Sequence, residues 1–283
     1  MTDIEALITA ARHYCLDNFR FWADKYANER SGNNNPYSDN DYNIFPRYNA
    51  LTAIRQGVES IVGKSFSSFE SCKQELKVLA QNSHTIFTID GNEELKLTGE
   101  SGRYARTSGR LNPIAKSAIL DERNRFVNYI DTLTPDKTEN VVPLPYRRRL
   151  NDAELLEFRQ RLLESWNYEG GYWEPLDSKS PKETIFLMKE NITQVDYEKI
   201  IQLITEKSER RIFEISEDRI DYEIEIDSFD PDCYETIFTD ESLEWVIYGS
   251  HESTIAFGGV WLIEFIKQVF ADRQDKLNKW EQN

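Results

Sequence analysis

Residues 210–229, RRIFEISEDRIDYEIEIDSF, contain two runs rich in Ile, Phe and Tyr on either side of a charged stretch. The second run, DYEIEIDSF, alternates apolar and acidic side chains, and this two-residue period predicts a strand with one buried face. Further strands are predicted at TIFLMK, EWVIYG and TIAFG, and a closing apolar helix at VWLIEFIKQVF. Two more helices are predicted to start at Asn151, with Glu154, and at Thr193, with Asp196. The second half of the chain is therefore predicted to be α+β, with an antiparallel sheet.

The first half of the chain shows the helical period instead. Ile4, Leu7, Ala11, Cys15 and Trp22 follow one another at steps of three, four or seven residues, which predicts a long amphipathic helix. Further elements are predicted as helices over residues 48–61, from a Ser67–Glu70 capping box through Leu79 and after Asn112–Pro113, and as a hairpin around Asp90–Gly91. This half is therefore predicted to be mostly helical.

A proline-containing segment divides the two halves. The chain of 283 residues is long enough for two domains. Pro135, Pro143 and Pro145 interrupt any helix in this segment, and its composition turns polar and then basic. We therefore expect a mostly helical domain with one hairpin in residues 1–134, a linker in residues 135–150, and an acidic α+β domain in residues 151–283.

Charge is distributed unevenly along the chain. The 50 acidic and 34 basic residues give a formal net charge of −16. Residues 151–283 carry 31 acidic and 14 basic side chains, whereas residues 1–150 carry 19 acidic and 20 basic ones. The overall acidity disfavours general binding to nucleic acid or to anionic lipid, because both present negative surfaces.

The chain has few targeting or redox signals. Its N-terminus, MTDIEALITAARHY, places acids where a secretory signal has bases, and no apolar run approaches the roughly 18 residues of a membrane span. Three widely spaced cysteines fit neither a disulfide framework nor a CxxC zinc site. We therefore expect a cytoplasmic protein that does not bind a membrane.

An acidic block in residues 214–244 holds 13 acids and one base. Within it four carboxylates recur at every second residue, which predicts that they share one face of a strand: Asp221, Glu223, Glu225 and Asp227. Such a row is a solvated edge that discourages aggregation, a docking face for a basic protein, or a divalent-ion site. The sequence leaves these three interpretations open.

An opposing basic block lies in residues 101–150, which hold ten bases and five acids. Its arginines form two groups, Arg103, Arg106 and Arg110, and then Arg147, Arg148 and Arg149. We expect these side chains to pair with the acidic half, within the molecule or in a partner copy of a homo-oligomer. The alternative is that both groups contact the phosphates of a nucleic acid, which the modest excess of charge makes the weaker interpretation.

The loop between EWVIYG and TIAFG combines an imidazole, a carboxylate and two hydroxyls. It contains Ser250, His251, Glu252 and Ser253, and a histidine here can serve as a general base for a hydrolase. The simpler interpretation is a polar turn, because catalytic groups usually come from distant segments. The three histidines are too far apart in sequence to predict a metal site, and no motif predicts a cofactor.

These patterns favour a function in protein binding. We expect a non-enzymatic cytoplasmic interaction module, of the immunity or inhibitor type, that binds a basic protein through its acidic strand. Hydrolysis at the His251–Glu252 loop and nucleic-acid binding through the arginines remain alternatives.

Overall fold

The computed structural model describes residues 1–30, 38–83, 88–89, 95–96, 113–174, 180–208, 210–217, 220–230 and 234–279. By its internal contacts the chain divides into two compact units, Met1–Leu144 and Pro145–Asn283. The segment expected to be a linker contributes to both units, because Pro135–Thr138 forms a short helix and Arg147–Arg149 forms a strand.

The first unit is mostly helical, as the sequence predicts. Its elements are α1 (Asp3–Arg30), α2 (Asp39–Glu59), α3 (Phe69–Gln81), α4 (Pro113–Thr132), α5 (Pro135–Thr138), and the antiparallel strands β1 (Thr88–Ile89) and β2 (Leu95–Lys96). Helix α2 begins nine residues earlier than predicted, because Ser38 and Asp41 form a capping box there. The capping box predicted at Ser67 and Glu70 is misplaced by one residue, because Ser68 and Ser71 form the box that caps α3.

The core of this unit mixes apolar side chains with buried charges. Leu7, Ile54 and Phe126 are fully buried in one hydrophobic cluster. Beside it, Arg47 donates to Glu122 over 3.3 Å, and burial raises the pKa of this fully buried carboxyl. A buried charge that lost its partner would destabilise the unit strongly, so this ion pair ties α2 to α4.

The second unit contains a seven-stranded antiparallel sheet with strand order β3-β6-β5-β7-β8-β9-β4. Its elements are β3 (Arg147–Arg149), α6 (Asp152–Trp166), β4 (Thr184–Met188), α7 (Gln194–Lys207), β5 (Arg211–Ser216), β6 (Tyr222–Glu225), β7 (Thr236–Thr239), β8 (Val246–Gly249), β9 (Thr254–Gly258) and α8 (Val260–Val269). The predicted α+β class with an antiparallel sheet is therefore confirmed.

Helices cover both faces of this sheet. On one face Phe158 and Trp166 of α6 cluster with Ile215 of β5. On the other face, a separate hydrophobic cluster joins helices α7 and α8 to side chains of the strands, among them Ile212, Ile224 and Phe257. The α6 face is packed closely, because a Cβ atom on Gly258 would lie 2.5 Å from the Trp166 ring.

The acidic strand is shorter than the alternating pattern predicts. Strand β6 ends at Glu225, and Ile226–Ser228 turns into a 3₁₀ helix. Asp221 precedes the strand and Asp227 lies in the 3₁₀ turn, so only Glu223 and Glu225 belong to β6. The predicted row of four carboxylates on one strand is therefore wrong.

Among the described residues, no helix is both long and apolar enough to cross a membrane.

Helix α7 starts at a local cap that is strengthened by a distant arginine. The Asp196 carboxylate accepts the N–H and the hydroxyl of Thr193 at 2.9 and 2.7 Å, which confirms the predicted start of this helix. Arg273 donates to both carboxylate oxygens at 3.0 Å. Although burial alone would raise it, these hydrogen bonds lower the pKa of Asp196 to about 2.

We expect Arg273→Met to lower the free energy of unfolding of the second unit by about 2 kcal/mol at pH 7. The Asp196 carboxyl has a pKa of 3.8 when unpaired and about 2 when folded, so its stabilisation is present above pH 3.8 and is lost as the pH falls towards 2. Urea unfolding at several pH values from 7 to 3 should show the difference between the two proteins narrowing. A constant difference would contradict this prediction, and the control Lys199→Met should show no narrowing.

Candidate functional site

The two oppositely charged blocks meet as neighbouring strands. Strand β3 pairs antiparallel with β6, and Arg148 lies opposite Glu223. Arg148 donates from Nε to Glu223 over 2.8 Å and from Nη1 to both oxygens of Glu154 over 2.9 Å. Burial alone would lower the pKa of Arg148, but these carboxylates raise it above its ordinary value. The contact therefore joins β3, β6 and the first turn of α6.

The other arginines of the basic block differ in their contacts. Arg147 donates two hydrogen bonds, of 2.8 and 3.1 Å, to Glu214 of β5, and its guanidinium lies 3.7 Å from the centre of the Tyr222 ring. Arg149 forms no ion pair with the described residues. The remaining candidates of this block, Arg103, Arg106 and Arg110, lie outside the described residues.

Most of the predicted carboxylate row takes part in contacts within the unit. Asp221 is buried and accepts from Arg159 at 2.7 Å and from the Ser216 N–H at 2.8 Å; burial raises its pKa in spite of the arginine. Glu225 accepts the backbone N–H of Tyr146 at 3.1 Å. Strand β6 lies between β3 and β5, so it is not the exposed edge that the sequence suggested.

A cavity of about 300 Å³ lies beside the contact of Arg148 with Glu223 and Glu154. The rings of Phe158 and Phe213 form an apolar part of its lining, and their centres are 4.1 Å apart. Among the described residues, the charged lining consists of four carboxylates and two guanidiniums, from Glu154, Glu157, Glu223, Glu241, Arg148 and Arg161. The cavity therefore carries an excess of two negative charges.

The carboxylates of the cavity differ in the hydrogen-bond and ion-pair partners that they already have. Glu223 accepts from the Tyr146 hydroxyl at 2.9 Å as well as from Arg148, and Glu241 forms an ion pair with Arg161. Glu157 is exposed and makes no ion pair with any residue that the structure describes. Glu157 is thus the cavity carboxylate most open to a ligand.

The His251 loop has a different carboxylate partner from the one that the sequence suggested. Glu235, just before β7, accepts the His251 backbone N–H at 2.8 Å, and the same oxygen contacts ring atom Nδ1. The Tyr248 hydroxyl donates to the other oxygen of Glu235. Glu235 has a φ of 46°, a left-handed conformation that is uncommon for a residue other than glycine. Its position is therefore held by several contacts in spite of backbone strain.

The other predicted members of this loop have separate roles. Ser250 is buried, and its hydroxyl accepts the backbone N–H of Glu252 at 3.1 Å. Glu252 contacts Tyr172, whose pKa is raised to about 12 by burial and by the nearby carboxylates. Ser253 accepts the Lys189 N–H at 2.8 Å through its carbonyl. The structure therefore joins His251 to Glu235 and Tyr248, and not to a serine within the loop.

Two buried polar groups lie beside this network without a hydrogen-bond partner among the residues that the structure describes. They are the Tyr168 hydroxyl and the Trp173 ring nitrogen. The backbone N–H of Trp173 donates to the Tyr248 hydroxyl at 3.1 Å, which connects this aromatic segment to Glu235. The carboxylate partner of His251 could not be identified from the loop sequence, because Glu235 lies 16 residues away along the chain.

Within the described ranges, no three His, Cys, Asp or Glu side chains are grouped as a metal site would require. No family model, curated protein or solved structure significantly matches this chain. The functional interpretation therefore depends on the geometry of the cavity and of the His251 network.

We expect Arg148→Ala to lower the free energy of unfolding of the second unit by about 2 kcal/mol, because it leaves two partly buried carboxylates without their arginine. Arg149→Ala is the matched control, since it removes the same side chain from the same strand, and it should change stability by less than about 0.5 kcal/mol. Urea unfolding measures both values. Equal effects of the two substitutions would show that the ion pairs do not hold β3 in place.

Proposed function

We propose that this chain is a non-enzymatic interaction protein, of the inhibitor or immunity type, whose second unit binds a basic protein surface. The observation that carries the proposal is the negative excess of the cavity between α6 and the β3–β6 end of the sheet. Charge complementarity of this kind speeds association with a basic partner and discriminates against acidic ones.

The contacts of two strand carboxylates favour a proposed contact surface away from the strand face. Asp221 is buried against Arg159, and Glu225 is bonded to the Tyr146 backbone, so neither offers a free charge to a partner. Glu223 alone of the predicted row lines the cavity, where Glu157 and Glu241 are more accessible. We therefore propose that the partner binds at this cavity and its rim.

The same contacts disfavour nucleic-acid binding by two of the three arginines in the second group. Arg147 and Arg148 already donate to carboxylates, so each would have to leave an ion pair before it could contact a phosphate. Polyanion binding would also have to overcome the acidity of the unit, in which residues 145–283 carry 31 acids and 17 bases.

The proposal predicts salt-dependent binding of a polycation. Fluorescence anisotropy with a labelled peptide of about ten lysines should show binding in low salt that weakens as salt is added. The double variant Glu157→Gln with Glu241→Gln should weaken binding of the peptide about fivefold, at about 0.5 kcal/mol for each removed charge. The matched control, Glu198→Gln with Glu264→Gln, removes two exposed charges from α7 and α8 and should change it less. Absence of binding in low salt would refute the proposal.

Acid–base chemistry at His251 is a second candidate, which the contact with Glu235 favours. A carboxylate on Nδ1 fixes the ring and leaves Nε2 able to accept a proton, which is the arrangement of a general-base histidine. The His251 side chain is 61 % exposed, so a substrate can reach it.

If His251 acts as a general base, the chain should hydrolyse a simple activated ester or phosphodiester, and His251→Gln should reduce the rate about 100-fold. The control His13→Gln changes a histidine of the first unit and should leave the rate unaltered. Chromogenic p-nitrophenyl substrates of both kinds provide the assay. No hydrolysis of either by the unaltered chain would remove this candidate.

A further inference from the structure

We propose that the cavity between α6 and the β3–β6 end of the sheet binds an arginine side chain of the basic partner. This inference rests on the proposed function and adds to it the chemical identity of the side chain that enters the cavity. The volume of about 300 Å³ is at the lower end of the range for ligand pockets, so it suits one side chain better than a large cofactor.

Helix α6 places the necessary groups along one stripe. Glu154, Glu157, Phe158 and Arg161 occupy positions i, i+3, i+4 and i+7, which share one face of a helix. Phe213 extends the aromatic surface from β5. A planar guanidinium can therefore lie against the partly exposed Phe213 ring while its N–H groups point towards carboxylates at the rim.

An arginine of the unit already uses part of this surface. The Arg161 guanidinium lies 5.7 Å from the centre of the Phe158 ring and forms an ion pair with Glu241. Phe158 is buried, so an incoming arginine can find the same combination of ring and carboxylate at the partly buried Phe213 and at Glu157. The existing contact shows that the local geometry accommodates a guanidinium.

The charges of the cavity select a cation over an anion. Arg148 directs its hydrogen bonds to Glu154 and Glu223, and Arg161 donates twice to Glu241, through a side-chain and a backbone oxygen. An anionic ligand would compete with these carboxylates for the same donors, whereas a cation adds to the pairing. Arginine is favoured over lysine because its planar group both stacks and donates two parallel hydrogen bonds.

The test compares three small probes on the full chain by equilibrium dialysis in low salt: N-acetyl-arginine amide, N-acetyl-lysine amide, and N-acetyl-citrulline amide, which has nearly the shape of arginine without its charge. We expect the arginine probe to bind most tightly and the citrulline probe to show no measurable binding. Glu157→Gln should weaken the arginine probe about threefold, whereas the control Glu264→Gln should leave it unchanged.

A second variant tests the aromatic lining. Phe213→Leu keeps an apolar side chain but removes the ring, so it should reduce binding of the arginine probe more than binding of the lysine probe. Circular dichroism shows whether the variant remains folded. Equal losses for both probes in a folded variant would overturn the stacking assignment.

The outcomes separate this inference from the proposed function. If the oligolysine peptide binds but the arginine probe binds no better than the citrulline probe, the cavity assignment is wrong and the proposed function stands. If the arginine probe binds in a Glu157-dependent way but the oligolysine peptide does not, the cavity assignment stands and binding of a basic protein surface is refuted.

Discussion

The contact of Arg148 with Glu223 and Glu154 is the interaction on which the architecture of the second unit depends. It lies where β3, β6 and α6 meet, and β3 has only three residues with which to hold the edge of the sheet. Without the arginines, the carboxylates of β5, β6 and α6 would repel one another across adjacent positions. The acidic strands can therefore pack in one sheet because the arginines of β3 lie beside them and pair with their carboxylates.

This dependence explains which elements the sequence could reveal. Caps at Asn151 and Thr193 were predictable because a capping box needs only residues three apart. Strand β3 was not, since three consecutive arginines have no strand pattern of their own and become a strand only beside β6. Strand β7 was missed for a related reason, because its four residues lie inside the acidic block that dominates the local composition.

The same limit applies to the candidate sites. The sequence drew attention to His251 and to Glu223; His251 contacts the Glu235 carboxylate, and Glu223 lines the cavity. It could not identify Glu235 as the partner of His251, because the antiparallel pairing of β7 with β8 brings them together over a separation of 16 residues. His251 and Glu252 are neighbours in the chain and both contact Tyr172, yet His251 takes its carboxylate partner from Glu235 and not from Glu252.

The two kinds of carboxylate in the second unit should respond differently to salt. Asp221 and Glu223 are largely shielded from solvent, and their ion pairs with Arg159 and Arg148 are screened little by added ions. Glu157 and Glu241 face the solvent at the rim of the cavity, where screening is strong. Moderate salt should therefore weaken the proposed attraction for a basic partner while it leaves the strand pairing intact. The proposed binding and the stability of the unit can be separated experimentally because they depend on carboxylates at two different depths.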